Sequence, residues 1–211
     1  MVEAARELFL ERGFEGTSVS DVVRRSGGSL ATLYELFGSK ERLFAAIVGE
    51  ISAQVVAPLD ALSLESRPLA EALRLFGEKF LTLVLSPDAV AWYRMSVAEG
   101  AKFPELRAAL VSTGPSHVHE RLSAFLAAQA LSGRLTIEDP VVAAHHFLAL
   151  IKSETHFAAM CGEPIELTQD QIARRVRLAV HVFLHGYAAA KERRTTTAGT
   201  AKPTKARNLR S

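Results

Sequence analysis

The chain has one cysteine, Cys161, in 211 residues. That excludes an internal disulfide framework and any zinc site built on clustered cysteines. Charge of one sign is also scarce: 25 Lys and Arg face 23 Asp and Glu, a net of +2. Apolar runs are short and interrupted, so no stretch reads as a membrane span. Met1-Val-Glu-Ala-Ala-Arg lacks the basic flank and apolar core of a secretion signal. A reducing, cytoplasmic setting away from membranes is the expectation. Strand signals are missing too, because no stretch alternates apolar and polar residues over six positions between turn residues.

Helical signals are abundant. With 48% hydrophobic residues the chain can bury a core, and its apolar positions recur with a period near 3.6. Ala5, Leu8 and Phe9 form one stripe, with Glu3, Glu7 and Glu11 opposite, ending at Gly13. Thr17-Ser18 opens a second helix through Val19, Val22 and Val23 to Gly27, with Asp21 placed for a capping box on Ser18. A third begins near Ser29 and carries Leu30, Leu33, Tyr34 and Phe37. Gly38-Ser39 breaks it and caps a longer helix holding Leu43, Phe44, Ile47, Val48 and Ile51, bounded by Pro58.

Further helices are expected over Leu69–Leu85, Ala89–Ala98, Glu105–Ser112, Ser116–Leu131, Val141–Met160 and Gln169–Ala189. Pro68, Pro104, Pro115 and Pro140 suit first turns, Pro87-Asp88 opens the helix over 89–98, and Thr168 with Gln171 forms a capping pair. The fold expected is all-α, with about nine helices: an amino-terminal three-helix helix-turn-helix domain over 1–50 and a carboxy-terminal helical bundle over 51–189. Residues 190–211 have Leu209 as their only bulky apolar side chain and read as a disordered basic tail. Seven bases (Lys191, Arg193, Arg194, Lys202, Lys205, Arg207, Arg210) face Glu192 alone, so residues 188–211 carry +6 and residues 1–187 carry −4. Such a tail either adds nonspecific attraction for phosphates or only solubilises the chain.

A helix-turn-helix that reads DNA needs apolar residues to seat its second and third helices, a glycine turn, and small or hydrogen-bonding groups on its outer face. Leu33 and Phe37 would point inward with Phe9, Phe14 and Val22. Leu30, Ala31, Thr32, Tyr34, Glu35 and Leu36 would face out. The run Ala-Ala-Arg-Glu-Leu-Phe…Gly-Phe…Thr-Ser-Val-Ser-Asp-Val-Val…Ser-Gly-Gly-Ser-Leu-Ala-Thr-Leu-Tyr-Glu-Leu-Phe-Gly-Ser-Lys-Glu-Arg-Leu, residues 4–43, resembles the amino-terminal domain of TetR-type transcriptional regulators. A looser likeness, through Tyr93, Phe103-Pro104-Glu105-Leu106, Gly133-Arg134-Leu135 and Ala144–Leu148, is to the carboxy-terminal domain of some efflux-pump repressors of that family.

The resemblance implies a homodimer with one helix-turn-helix per subunit, a palindromic double-stranded operator, and a small-molecule effector that releases the operator. It assigns phosphate contacts to Thr17, Ser18, Tyr34 and Lys40, the recognition-helix cap to Ser29, and DNA contact to Thr32. The Thr32 and Ala31 methyl groups can meet a thymine methyl. Departures from the family pattern fall at Leu30 and Leu36, where polar residues are common, and at Gly28, which replaces a small branched residue of the turn. Glu35 is the only charge from Ser29 to Phe37 and repels phosphate unless it accepts from a cytosine amino group. The basic arm that many relatives place before the first helix is missing; either the native start lies upstream of Met1 or affinity rests on fewer contacts.

Elsewhere the readings are plainer. Seven histidines, including His181 and His185 one turn apart, offer no set of three or four convergent zinc ligands, so neither metal nor cofactor is expected. Cys161 reads as a small buried apolar residue. Phe76, Phe80, Trp92, Tyr93, Phe103, Phe125, Phe147 and Phe157, with Met95 and Met160, are core by default, but in this family such residues enclose a ligand cavity, with Trp92, Glu154 or His156 as polar anchors. By the same resemblance, Ala143, Ala144, Phe147, Leu148 and Ile151, with Val176, Val180, Phe183, Leu184 and Tyr187, lie at a four-helix dimer interface; burial of those faces within a monomer is the alternative. The expected function is a DNA-binding transcriptional regulator, a repressor relieved by an apolar or amphipathic ligand. The alternative is a helical ligand-binding or interaction protein with weakened DNA binding. No nucleophile triad, phosphate loop or metal motif supports an enzyme.

Overall fold

Side-chain caps set where six of the described helices begin. The computed structural model describes residues 1–104, 106–108 and 114–187. Nine helices stand among them: α1 (Val2–Arg12), α2 (Val19–Ser26), α3 (Leu30–Phe37), α4 (Lys40–Asp60), α5 (Leu69–Val84), α6 (Pro87–Gly100), α7 (Gly114–Leu131), α8 (Pro140–Cys161) and α9 (Gln169–Tyr187). Ser18, Ser29, Ser39 and Ser86 accept at Oγ from the amides of Asp21, Thr32, Arg42 and Ala89. Asp139 caps two amides of α8, and Thr168 and Gln171 exchange the two bonds of a capping box. The all-α expectation holds. The helix expected over 105–112 lies mostly outside the described residues, although 106–108 are helical. The basic tail lies outside them entirely.

Two cores form. The first joins Ala5, Leu8, Phe9, Phe14, Val22 and Leu33 to Leu43, Phe44, Ile47, Val48 and Ile51 of α4, and it also takes in Trp92 and Leu106. The second joins Val56 and Leu59 to α5, α7, α8 and α9. Helix α4 therefore runs through residue 50 without a break and serves both cores. By length and composition it is apolar enough to cross a membrane, contrary to the expectation that no stretch would read as a span. Its apolar stripe is instead buried between neighbouring helices.

Pro58 does not bound α4 but lies inside it. A proline so near a helix end removes a single intrahelical donor, and the Ala61 amide still reaches the Ala57 carbonyl at 3.2 Å. Two ion pairs tie the start of α6 and the turn after it to α1 and the turn that follows it: Arg6 to Asp88 at 2.9 Å and Lys102 to Glu15 at 2.7 Å.

The second core takes up the apolar faces assigned to a dimer interface, which is the monomer-burial alternative. Ala143, Ala144, Phe147, Leu148 and Ile151 of α8, and Val176, Val180 and Phe183 of α9, are buried within the single chain, with Leu184 and Tyr187 packed against them. They lie inside because α5 crosses both helices closely at Gly77. A Cβ there would fall 2.7 Å from Val176 Cγ1 and 2.8 Å from Ile151 Cδ1. The apolar residues that α8 and α9 expose are Val141, Val142, Leu150 and Phe157, with Leu178 and Val182. Phe157 is thus not core. Cys161 is exposed as well, since it ends α8 rather than facing α5. Within α8, Ser153 takes φ 45° and ψ −151° and kinks the helix.

Candidate functional site

In the first core, Leu33 is wholly buried while Leu30, Tyr34 and Leu36 are 44%, 52% and 64% exposed. With Ala31, Thr32 and Glu35 also exposed, α3 presents one continuous outer face. Gly27 supplies the turn before it at φ 71° and ψ 14°, a left-handed conformation in which glycine meets no Cβ clash. The gap expected at Gly28 is occupied: the Met1 methyl lies where a Cβ would project. Ser29 Oγ accepts from the Thr32 amide at 3.0 Å and pairs with the Thr32 hydroxyl at 2.8 Å. Both hydroxyls therefore gather at the amino end of α3, where free amides and the helix dipole suit an anion.

Ser18 is exposed at the start of α2, and its capping box with Asp21 is complete. Hydrogen bonds from the Ser18 hydroxyl and amide, aided by Arg24, lower the Asp21 pKa to about 2. Thr17 must be corrected. It is 1% exposed, and its hydroxyl donates inward to the Leu8 carbonyl at 3.0 Å and the Gly13 carbonyl at 2.9 Å. A hydroxyl so buried cannot meet a phosphate; Thr17 holds α1 to the start of α2. Lys40 Nζ sits 4.3 Å above the Phe14 ring, and partial burial lowers its pKa.

Most other cations of this region are paired. Arg25 makes a two-pronged contact with Glu11 at 2.9 Å for each bond, and Arg24 pairs with Asp21. Arg42, exposed in the first turn of α4 beside Gly38, was not singled out from the sequence. Its place one turn after α3 was the available signal.

A second feature lies between the two cores. A cavity of about 140 Å³ is lined from α4, α5, α6, α7 and α8. Of the residues expected there, Phe80, Trp92 and His156 line it. Phe76, Phe125 and Phe147 do not, being buried in the second core among neighbouring helices. Met95 packs against the first core, and Glu154 is exposed on another face of α8. Tyr93, from the wider aromatic set, lines it too, while the sequence reading missed Val48, Ile51, Ser52, Ser96, Val118, His119 and Lys152. Helical spacing offered a partial signal, since Ser96 follows Trp92 by four residues and Lys152 precedes His156 by four.

The Trp92 indole N–H and the Ser96 hydroxyl are buried without a hydrogen-bond partner. The Tyr93 and His156 rings meet edge to face at 5.4 Å, joining α6 to α8. Burial lowers the pKa of His156, with a further push from nearby Lys152. Other histidines pair locally: His117 with Asp60 at 3.0 Å and His146 with the Tyr187 hydroxyl at 2.6 Å. Among the described residues no three His, Cys, Asp or Glu side chains gather as a metal site would require.

Comparison with known proteins adds two family matches. Residues 1–47 match the profile described as bacterial regulatory proteins, tetR family, and residues 71–189 match the carboxy-terminal domain of AefR-like transcriptional repressors. The HTH-type transcriptional regulator RutR of Escherichia coli O157:H7 is 30% identical over 75% of this chain and 72% of its own length. The HTH-type transcriptional repressor AcnR of Corynebacterium efficiens is 27% identical over 72% of this chain and 75% of its own. Among solved structures, the flavonoid-responsive regulator FrrA is 32% identical, with a TM-score of 0.80 over 90% of this chain and 95% of that one.

Proposed function

The chain belongs to the TetR family of bacterial regulatory proteins, and from that premise we propose how its parts act. It is a DNA-binding transcriptional regulator, a repressor responsive to a small molecule. The outer face of α3 enters the major groove. The observation that carries this reading is the division of α3, with Leu33 buried and Leu30, Tyr34 and Leu36 exposed on a helix that ends a capped helix-turn-helix. Tyr34, Ser18, Ser29 and Thr32, joined by Arg42 and by Lys40 once it leaves Phe14, serve phosphates. Ala31, Leu30 and Leu36 suit thymine methyl groups, and Glu35 suits a cytosine amino group.

Two copies are needed to read a two-fold site. Exposed Val142, Leu150, Phe157, Leu178 and Val182 supply an apolar face for a second copy, since contiguous exposed apolar patches mark interaction surfaces. The effector occupies the cavity beside Trp92. It weakens DNA binding only by as much as it prefers a state whose recognition helices are misplaced. The response of FrrA to flavonoids, stated in its name, favours an aromatic or amphipathic effector. In this reading the protein catalyses no reaction and acts in the cytoplasm.

Leu30, Leu36 and Glu35 also suit a helical interaction protein with weakened DNA binding. Selection of genomic fragments by the purified chain, with sedimentation of the same sample, separates the two. An enriched inverted repeat bound by a dimer is expected. A folded dimer that enriches no sequence sinks the regulator reading.

A further inference from the structure

The cavity between the two cores holds an unbalanced set of polar groups. Trp92 and Ser96 stand four residues apart on α6, so they share one face of it. They are 2% and 1% exposed, and neither the indole N–H nor the hydroxyl has a partner. Lys152 and His156 flank the Ser153 kink of α8 and line the same space. No Asp or Glu lines it, and among the described residues Lys152 has no ion pair. The remaining wall is mainly apolar, from Val48, Ile51, Phe80, Val84 and Val118, with Ser52, Tyr93 and His119 as its further polar side chains.

An indole N–H and an ammonium can only donate, and a serine hydroxyl can donate as well. Buried donors are ordinarily met by acceptors, and a half-buried cation such as Lys152 is stabilised by a nearby anion. In a cavity of about 140 Å³ these donors lie within reach of one small molecule. A cationic ligand would meet Lys152 as a like charge, and a hydrocarbon would leave every donor unmet. We infer that the cavity selects an amphipathic organic anion, a carboxylate or phenolate on an apolar body, whose charge is met by Lys152 and whose oxygens accept from Trp92 and Ser96. This rests on the ligand-responsive reading above and names the chemical class of its effector. Burial lowers the pKa of Lys152 with no opposing carboxylate, consistent with a cation that still lacks its counter-charge.

Trp92 is the sole tryptophan, so its fluorescence reports occupancy directly. The full chain is titrated at pH 7 with octanoate, 1-octanol and octylammonium. Octanoate should bind at least about tenfold more tightly than octanol, as charge-assisted hydrogen bonds outweigh neutral ones. Octylammonium should give no saturable change. Lys152→Met should reduce octanoate to the affinity of octanol and leave octanol unaltered, while Lys152→Arg keeps the preference. Equal affinities for acid and alcohol in the unmodified chain, or no saturable change with any of the three, overturns the inference without recourse to a variant. Anisotropy of a selected DNA duplex in the same solutions tests the regulatory reading separately. Octanoate that saturates Trp92 selectively but leaves DNA bound upholds the anion site and removes the ligand response. Octanol that binds as tightly as octanoate and releases DNA does the reverse.

Discussion

The Trp92 indole packs against the Phe44 ring with centroids 5.4 Å apart. Trp92 also meets Phe9 edge to face at 6.4 Å. One residue thus lines the cavity and belongs to the core that seats α3. A ligand that shifts the indole disturbs the rings beneath the recognition helix, with no long relay required. The Arg6–Asp88 and Lys102–Glu15 pairs hold α6 and its following turn against that core.

Trp92→Phe should therefore keep DNA affinity near that of the unmodified chain but blunt release by octanoate. The smaller ring keeps apolar contact with Phe44 and loses the indole donor. Anisotropy titrations with and without octanoate measure both quantities. Full retention of release in the variant contradicts the role given to Trp92.

Thr17→Val should lower the melting temperature without weakening DNA binding by the folded chain. The valine leaves the Leu8 and Gly13 carbonyls without the buried hydroxyl, a loss of about 1–3 kcal/mol. For a chain of this size that corresponds to roughly 2–12 °C. Thermal melting followed by circular dichroism, and anisotropy well below the transition, check the two halves.

Ser18→Ala should raise the Asp21 pKa from about 2 toward the ordinary carboxylate value, because the Ser18 hydroxyl is the largest cause of its depression. The sign follows from linkage: a depressed carboxylate pKa contributes stability above the unfolded value of 3.8. That contribution is lost as pH falls through about 2. The variant should thus have a weaker acid dependence between those limits. A carbon-detected NMR titration of Asp21 measures the shift.

Val182→Asp should convert a dimer to monomers without unfolding the chain. Val182 is 56% exposed, so the monomer loses little packing, whereas the dimer would bury an unpaired charge on each side. Sedimentation velocity beside circular dichroism gives the answer. A variant that remains dimeric places the interface elsewhere.

The amino-terminal fold was legible because short-range chemistry determines it. Ser18, Ser29 and Ser39 cap where a hydroxyl precedes an apolar period, and Gly27 takes a conformation that few other residues tolerate. The inward and outward faces of α3 followed from spacing alone. Thr17 was misread because nothing local distinguishes a hydroxyl that turns inward to Leu8 from one that faces solvent. Between the dimer and monomer readings of the α8 and α9 faces the sequence could not choose, since which apolar stripe of α8 is buried depends on the approach of α5 at Gly77. The cavity was half legible for the same reason. Trp92 and His156 stood out as polar aromatics, but Lys152 on an amphipathic helix reads as solvated until α6 is placed over it.

The outer face of α3 is tested most directly by Leu36→Glu. Leu36 is 64% exposed, so the melting temperature should stay unchanged, while a second carboxylate beside Glu35 opposes the phosphate backbone. Anisotropy of the selected duplex should show affinity at least about tenfold weaker, the order of one lost specific base contact. Unchanged affinity in the folded variant would contradict the placement of α3 in the groove.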